Sequence, residues 1–434
     1  MMRWVRIFAA TCAVLMLATI VSSSVVVGAS GNPVLVRGKK AGPIKITKQQ
    51  KTFGSLPLTK GHWLVMSKAV LAGMGGKNGA YLGVDCKLSL GTRSDRISAA
   101  PQRQNKDGSR VPVLLTTAGK LKGSGRAKLK CSADVGGAVK IRDIEMTAIK
   151  VGKLTTRSTL KPAVAPSGTS GSGKPVVISA KQSTASAVNG DGSWREVARV
   201  PISGGRWWIV AKGIAEQGGA SDSYECRVSV NGAAGDVGFA LGAPGTAGDT
   251  RPFSLQVASD VGVAGPAVIE CRADADFRVR KVVINAIRVG TLTIDALPAV
   301  TSGSGKPRVI SWVDSGPLAV PVAGKPQNIL TSSLPDGKWL VFATASFKAG
   351  GIPDSTIRRV NCQLDFSGFK DNVELRYEDT VHRVGSMVMQ VPTDTSGSPT
   401  VHLRCRRTPG GGSGEILDVT ISALKLKKIT AWKI

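Results

Sequence analysis

The chain reads as an all-β protein of three tandem antiparallel sandwiches, and three observations carry that reading. Six of its seven cysteines fall into pairs of near-constant spacing: Cys86 and Cys131, Cys226 and Cys271, Cys362 and Cys405, at separations of 45, 45 and 43 residues. The segments around those cysteines repeat with them. Apolar side chains recur at every second position, the period of strands with one buried face.

The N-terminus reads as an export signal. Arg3 and Arg6 precede an apolar run from Ile7 to Val21, and Val27-Gly28-Ala29 has the small-residue spacing of a cleavage site. Residues 1–29 are therefore expected to leave after Ala29, with a retained membrane anchor as the competing expectation. Cys12 would leave with them. The other six cysteines would pair in a secreted or cell-surface protein, each neighbouring pair closing its own loop. A loop of that size implies about 4 kcal/mol of chain-entropy stabilisation. A basic leader spans 30–41, and the modules span 42–160, 175–297 and 307–434. Linkers rich in Gly and Ser fall at 161–174 and 298–306.

Within each module the elements recur in order. A Gly-x-Trp strand opens at Gly61 (GHWLVMSKA), Gly205 (GRWWIVAKG) and Gly337 (GKWLVFATA). The first cysteine strands are GVDCKLSL, SYECRVSV and RVNCQLDF. Val84, Cys86, Leu88 and Leu90 share one face of the first, with Asp85, Lys87 and Ser89 on the other. The second cysteine strands place Ala127, Leu129 and Cys131 inward, with Lys128 and Lys130 outward. A closing strand follows at Ile144, Val282 and Val419, and its apolar parity slips after Ala148, Ala286 and Ala423. That slip predicts a β-bulge or a strand buried on both faces. The middle module shows about eight strand candidates and no helix of normal length, a pattern that suits a jelly roll or similar sandwich.

The repeated SGSGKP at Ser170 and Ser302 raises a phosphate-binding loop. Gly168, Gly173 and Lys174 fit its spacing, but Pro175 occupies the position of the magnesium-binding hydroxyl and a strand follows where a helix is needed. Both copies read as linker followed by the first strand of the next module.

These cysteine-paired strands, with the closing TAIKVGKL and NAIRVGTL, resemble tandem β-sandwich repeats of secreted bacterial proteins. The strand count is also similar to C1q/TNF-type jelly rolls. That resemblance implies that three linked modules pack as a pseudo-trimer, in an assembly or signalling role.

No catalytic constellation is evident, and neither a cofactor nor a metal is implied. His62, His382 and His402 lie at no metal-ligand spacing. The acid pairs Asp274/Asp276 and Glu378/Asp379 sit in expected turns, although a polysaccharide hydrolase or lyase would need such a pair. Trp63, Trp207 and Trp339 recur and read as strand anchors. Trp194, Trp208 and Trp312 do not recur, and are the candidates for sugar stacking if the modules bind carbohydrate.

Charge is the most uneven property. The formal net charge is +29, and residues 30–174 hold 27 Lys/Arg against 6 Asp/Glu. Lys120, Lys122, Arg126, Lys128 and Lys130 alternate along a hairpin-like stretch and are expected to form one outward basic stripe, with Lys45 and Lys48 nearby. The expected partner is an anionic polymer: a wall polymer, an acidic polysaccharide or a membrane surface. Nucleic acid ranks lower, because the stretch lacks interleaved aromatic side chains. The expected function is structural or adhesive, at a cell surface.

Overall fold

A computed structural model describes residues 33–74, 82–101, 110–157, 175–182, 184–217, 223–231, 233–241, 250–295, 300–302, 307–314, 318–320, 326–349, 358–377, 384–396, 399–407 and 414–433. The expected export signal lies outside these residues. Among them no helix is long and apolar enough to cross a membrane.

The first module comprises β1 (Val34–Lys40), β2 (Ile44–Lys45), β3 (Lys51–Leu58), β4 (Gly61–Gly73), β5 (Val84–Leu90), β6 (Arg93–Ala99), β7 (Arg110–Leu121), β8 (Gly125–Ala133) and β9 (Val139–Val151). After β10 (Lys153–Arg157), the second runs through β11 (Val176–Lys181), β12 (Ser186–Val188), β13 (Arg195–Ile202), β14 (Gly205–Gln217), β15 (Ser223–Val230), β16 (Ala233–Leu241), β17 (Thr250–Val261), β18 (Gly265–Ala273) and β19 (Phe277–Val289). After β20 (Thr291–Asp295) and β21 (Val300–Ser302), the third runs through β22 (Arg308–Asp314), β23 (Leu318–Ala319), β24 (Gln327–Ser333), β25 (Gly337–Ala349), β26 (Arg358–Phe366), β27 (Phe369–Tyr377), β28 (Val384–Thr395), β29 (Thr400–Arg407) and β30 (Gly414–Leu426). The last strand is β31 (Lys428–Lys433).

Each module is a jelly roll by its strand order. In the first, one sheet runs β1-β9-β4-β7 and the other β3-β8-β5-β6; the second and third repeat both orders. The disulfide sheet packs on the first sheet through the alternation seen in the sequence. Ala127, Leu129 and Cys131 are buried, as are Val84, Cys86 and Leu88. The three disulfides join residues directly opposite one another in the ladder, Cys86 with Cys131, Cys226 with Cys271 and Cys362 with Cys405. Such bonds fit an oxidising compartment.

Trp63, Trp207 and Trp339 are buried, and each indole N–H donates to a carbonyl four residues back: Thr59 (2.9 Å), Ser203 (2.8 Å) and Pro335 (2.9 Å). Burying a polar indole N–H requires such a partner. The repeated tryptophan is a core anchor in every copy.

The closing strand resolves its parity slip through burial on both faces. Ile144, Met146 and Ala148 face their own module's core, whereas Ile149 and Val151 join a second cluster shared by all three modules. That cluster contains Leu64 and Met66 from the first module, Trp208 and Val210 from the second, and Leu340 and Phe342 from the third. A bulge is also present, but earlier in the strand. The register of β4 against β9 shifts between Lys68 and Val70, where Asp143 adopts a φ of 52°.

The modules also exchange strands. β10 pairs parallel with β11, and β20 pairs parallel with β22, so each module's sheet is extended by the strand that leaves the module before it. β31 does the same for β1, closing the series from the third module to the first. The three junctions match in detail. Gly152 N–H donates to Pro175 O, Gly290 N–H to Pro307 O and Lys427 N–H to Pro33 O. The pseudo-trimer implied by the strand count is thus one body with a common apolar core.

Candidate anion-binding face

Two groups of charged residues stand out, one between modules and one on the outside. Between modules, Lys212 of β14 is fully buried and meets Asp95 of β6 at 2.8 Å, and Lys68 of β4 pairs in the same way with Asp371 of β27. Burial lowers the affinity of the Lys212 ammonium for its proton, and Asp95 opposes that effect. Each aspartate also accepts a backbone N–H, from Thr116 (2.8 Å) and Gln390 (2.9 Å) respectively. Between the second and third modules, among the described residues, a side-chain amide makes contacts across the seam. The Gln256 amide donates to Thr420 O at 2.7 Å and to the Thr344 hydroxyl at 3.2 Å. Glu145 of β9 is buried near Lys68 and Asp371, and Arg37 Nε lies 3.0 Å from its carboxylate. Burial pushes its pKa up to about 7, and Asp371 adds to the shift.

On the outside, the disulfide sheet of the first module gathers cations. Arg126, Lys128 and Lys130 alternate with buried neighbours along β8 and point outward. Cross-strand register then places Lys130 opposite Lys87 of β5, and Lys87 opposite Arg96 of β6. Three cations therefore stand side by side on three adjacent strands. None of them has an acidic partner among the described residues. Like charges directly opposite one another destabilise a sheet, so the row is a cost to the fold. Arg126 is anchored by Ser55, through Nε to the hydroxyl at 2.7 Å.

The other expected members of the stripe sit elsewhere. Lys120 is exposed on β7, which belongs to the opposite sheet, and Lys122 lies in the turn that crosses from one sheet to the other. The hairpin-like stretch is a corner between sheets, so the stripe is confined to β8. Lys45 lies on β2, opposite Lys140 of β9 in the first sheet, and Lys48 is exposed in the following loop. Lys87 and Arg96 were missed because membership of the row depends on register between strands. The outward position of Lys87 in GVDCKLSL was the available signal.

The stacking candidates need correction. Trp208 is fully buried in the shared core against Phe342, and its N–H donates to Gln256; Trp312 is buried in the third module's core. Neither ring can meet a sugar. Trp194 is half-buried, with the guanidinium carbons of Arg227 and Arg272 4.2 Å and 4.8 Å from its ring centroid. His62 Nδ1 lies 3.2 Å from Gly152 O, and His402 Nδ1 lies 3.2 Å from the Thr331 hydroxyl. Asp274 is exposed and Asp276 accepts Gly190 N–H at 2.8 Å. His382, Glu378 and Asp379 lie outside the described residues.

No family model matches the chain, and no curated protein does. Among solved structures, one described as the triple jelly roll fold and turret assembly in an archaeal virus is 8% identical. The match covers 93% of this chain and 92% of that one at a TM-score of 0.16. The Sulfolobus Turreted Icosahedral Virus structure is 9% identical, over 91% and 89% of the two chains, at 0.17. The CBM22-1-CBM22-2 tandem domain from Paenibacillus barcinonensis Xyn10C is 13% identical, over 57% and 93%, at 0.16. Superpositions this loose add nothing to the strand order described above.

Proposed function

We propose that this chain is an exported, non-enzymatic structural or adhesive protein whose first module holds an anionic polymer on its outer disulfide sheet. One observation carries the reading: Lys130, Lys87 and Arg96 form a row of like charges across adjacent strands, with no acidic partner among the described residues. A polyanion would relieve that repulsion, and release of its counterions would drive binding. Fusion of the three modules into one body supports a structural role, because it holds the face rigidly on a large sandwich.

The test is binding of the full chain to polygalacturonate at rising sodium chloride concentration. The logarithm of the affinity is expected to fall linearly with the logarithm of salt. In Lys87→Ser/Lys130→Ser the slope should shrink by about 1.4, since each neutralised charge on a single polyanion strand contributes about 0.7. Affinity that does not respond to salt would overturn the proposal.

A further inference from the structure

Resting on the reading above, we infer that the polymer is an acidic polysaccharide running across the strands, and that Lys281 of the second module extends its track over the seam. The composition of the face points to the polymer class. Apart from Pro57, the outward positions hold the cations already named, the hydroxyls of Thr52, Ser55, Ser89, Ser94, Ser98 and Ser132, and one carboxylate, Asp85; Lys51 and Arg93 are also exposed, at the starts of β3 and β6. Among the described residues of the face, no large apolar side chain is present to enter a bilayer, and no aromatic ring to stack on bases. A hydroxyl row, Ser55, Ser89 and Ser94 with Lys128 among them, lies beside the cation row. Cations suit carboxylate groups and serine hydroxyls suit sugar hydroxyls, since a hydroxyl both donates and accepts.

Register sets the direction. Along β5, Lys87 is flanked on its face by Asp85 and Ser89; along β6, Arg96 is flanked by Ser94 and Ser98. A polymer parallel to the strands would meet a series of cations only over β8. A polymer crossing them meets one on each of three strands, about 4.8 Å apart.

Lys281 lies at the end of that track. It occupies the bulge of β19 with a φ of 53°, the position held by Asp143 in the first module. Its ammonium donates to the Ser98 hydroxyl at 2.6 Å and stands 3.7 Å from Asp85, which also accepts from Ser98. Asp85 and Ser98 face each other one step along the strands from Lys87 and Arg96. Asp85 is 63% exposed and is the counter-charge of Lys281 in the free protein. A polymer carboxylate beyond Arg96 would take over that role, tying the second module to the first through the ligand.

The experiment uses the full chain, polygalacturonate and a salt series. Lys281→Ala is expected to weaken binding about fivefold at low salt and to shrink the salt slope by about 0.7. Lys281→Arg should keep both, and Asp85→Asn should strengthen binding about fivefold by removing the one competing anion. The last two variants keep the test decisive if Lys281→Ala fails to fold. If Lys281→Ala leaves the slope unchanged while Lys87→Ser/Lys130→Ser still lowers it, the reach across the seam is overturned and the first-module reading stands. If neither lowers it, that reading itself fails. Tighter binding at equal ionic strength to phosphatidylglycerol vesicles, or to a single-stranded oligonucleotide, overturns the polysaccharide assignment.

Discussion

Charges between the modules and charges on the outer face of the first module follow opposite rules. Inside, Lys68 and Lys212 are fully buried and each has an aspartate from the neighbouring module. Outside, Lys130, Lys87 and Arg96 adjoin one another with no acid between them. The second module makes the contrast sharper. At the matching place in its disulfide sheet, Arg227 of β15 stands opposite Glu270 of β18, with Nε 2.9 Å from the carboxylate. Arg272 likewise meets Glu225 at 2.6 Å. The same ladder can therefore carry compensated charge. Among the described residues, Lys130, Lys87 and Arg96 lack such compensation, a local property of that row, and high overall basicity alone does not explain it.

The largest expected effect comes from breaking an inner pair. Asp95→Ala or Asp371→Ala leaves a buried ammonium without its partner and should cost about 3–5 kcal/mol in urea unfolding. Replacing both members, as in Lys212→Met/Asp95→Leu, should recover most of that loss. If the single variants cost less than about 1 kcal/mol, the inner charges would resemble exposed surface pairs and the contrast would disappear.

Next in size is a pH dependence at the seam between the third and first modules. The pKa of Glu145 rises from 4.5 to about 7 on folding, so the folded state binds the proton more tightly. The stabilisation is fully present below pH 4.5 and is lost as pH rises through about 7. It amounts to roughly 3 kcal/mol, at about 1.4 kcal/mol per unit. Glu145→Gln should remove this dependence and raise the unfolding midpoint at pH 8. An unchanged pH profile in that variant would assign the dependence to another group.

A smaller effect tests the outer face by giving the second module the first module's pattern. Glu270→Lys places like charges opposite one another and should cost about 0.5–1 kcal/mol. It should also strengthen binding to polygalacturonate in a salt-dependent way. The smallest change is expected from Trp194→Ala, which loses the guanidinium contacts at a half-buried site, about 0.5 kcal/mol. It should leave the salt slope of polyanion binding unchanged. A shift in that slope would extend the binding face onto the second module.

Much of the architecture was legible because it is written in local patterns. Alternation along GVDCKLSL and AKLKCSAD placed Cys86 and Cys131 on inward faces, and their equal recurrence paired them correctly. The basic stripe was legible only along β8. Continuing it through Lys120 and Lys122 assumed that β7 and β8 form a hairpin, whereas in this jelly roll β7 and β8 belong to opposite sheets. Trp208 and Trp312 were misjudged for a related reason. Non-repetition suggested exposure, but Trp208 fills the core shared by the three modules, where three unequal copies must meet.

The amino-acid order by itself determined the all-β character, the three modules, the cystine pairing and the excess of positive charge in the first. These follow from period, spacing and composition, which neighbouring residues settle among themselves. Tertiary structure alone decided that the modules close on one another, that β31 completes the sheet begun by β1, and that Lys87 and Arg96 stand beside Lys130. The physical reason is that sheet membership, register and inter-module burial arise from contacts between residues far apart along the chain, and the local pattern of either partner does not specify them.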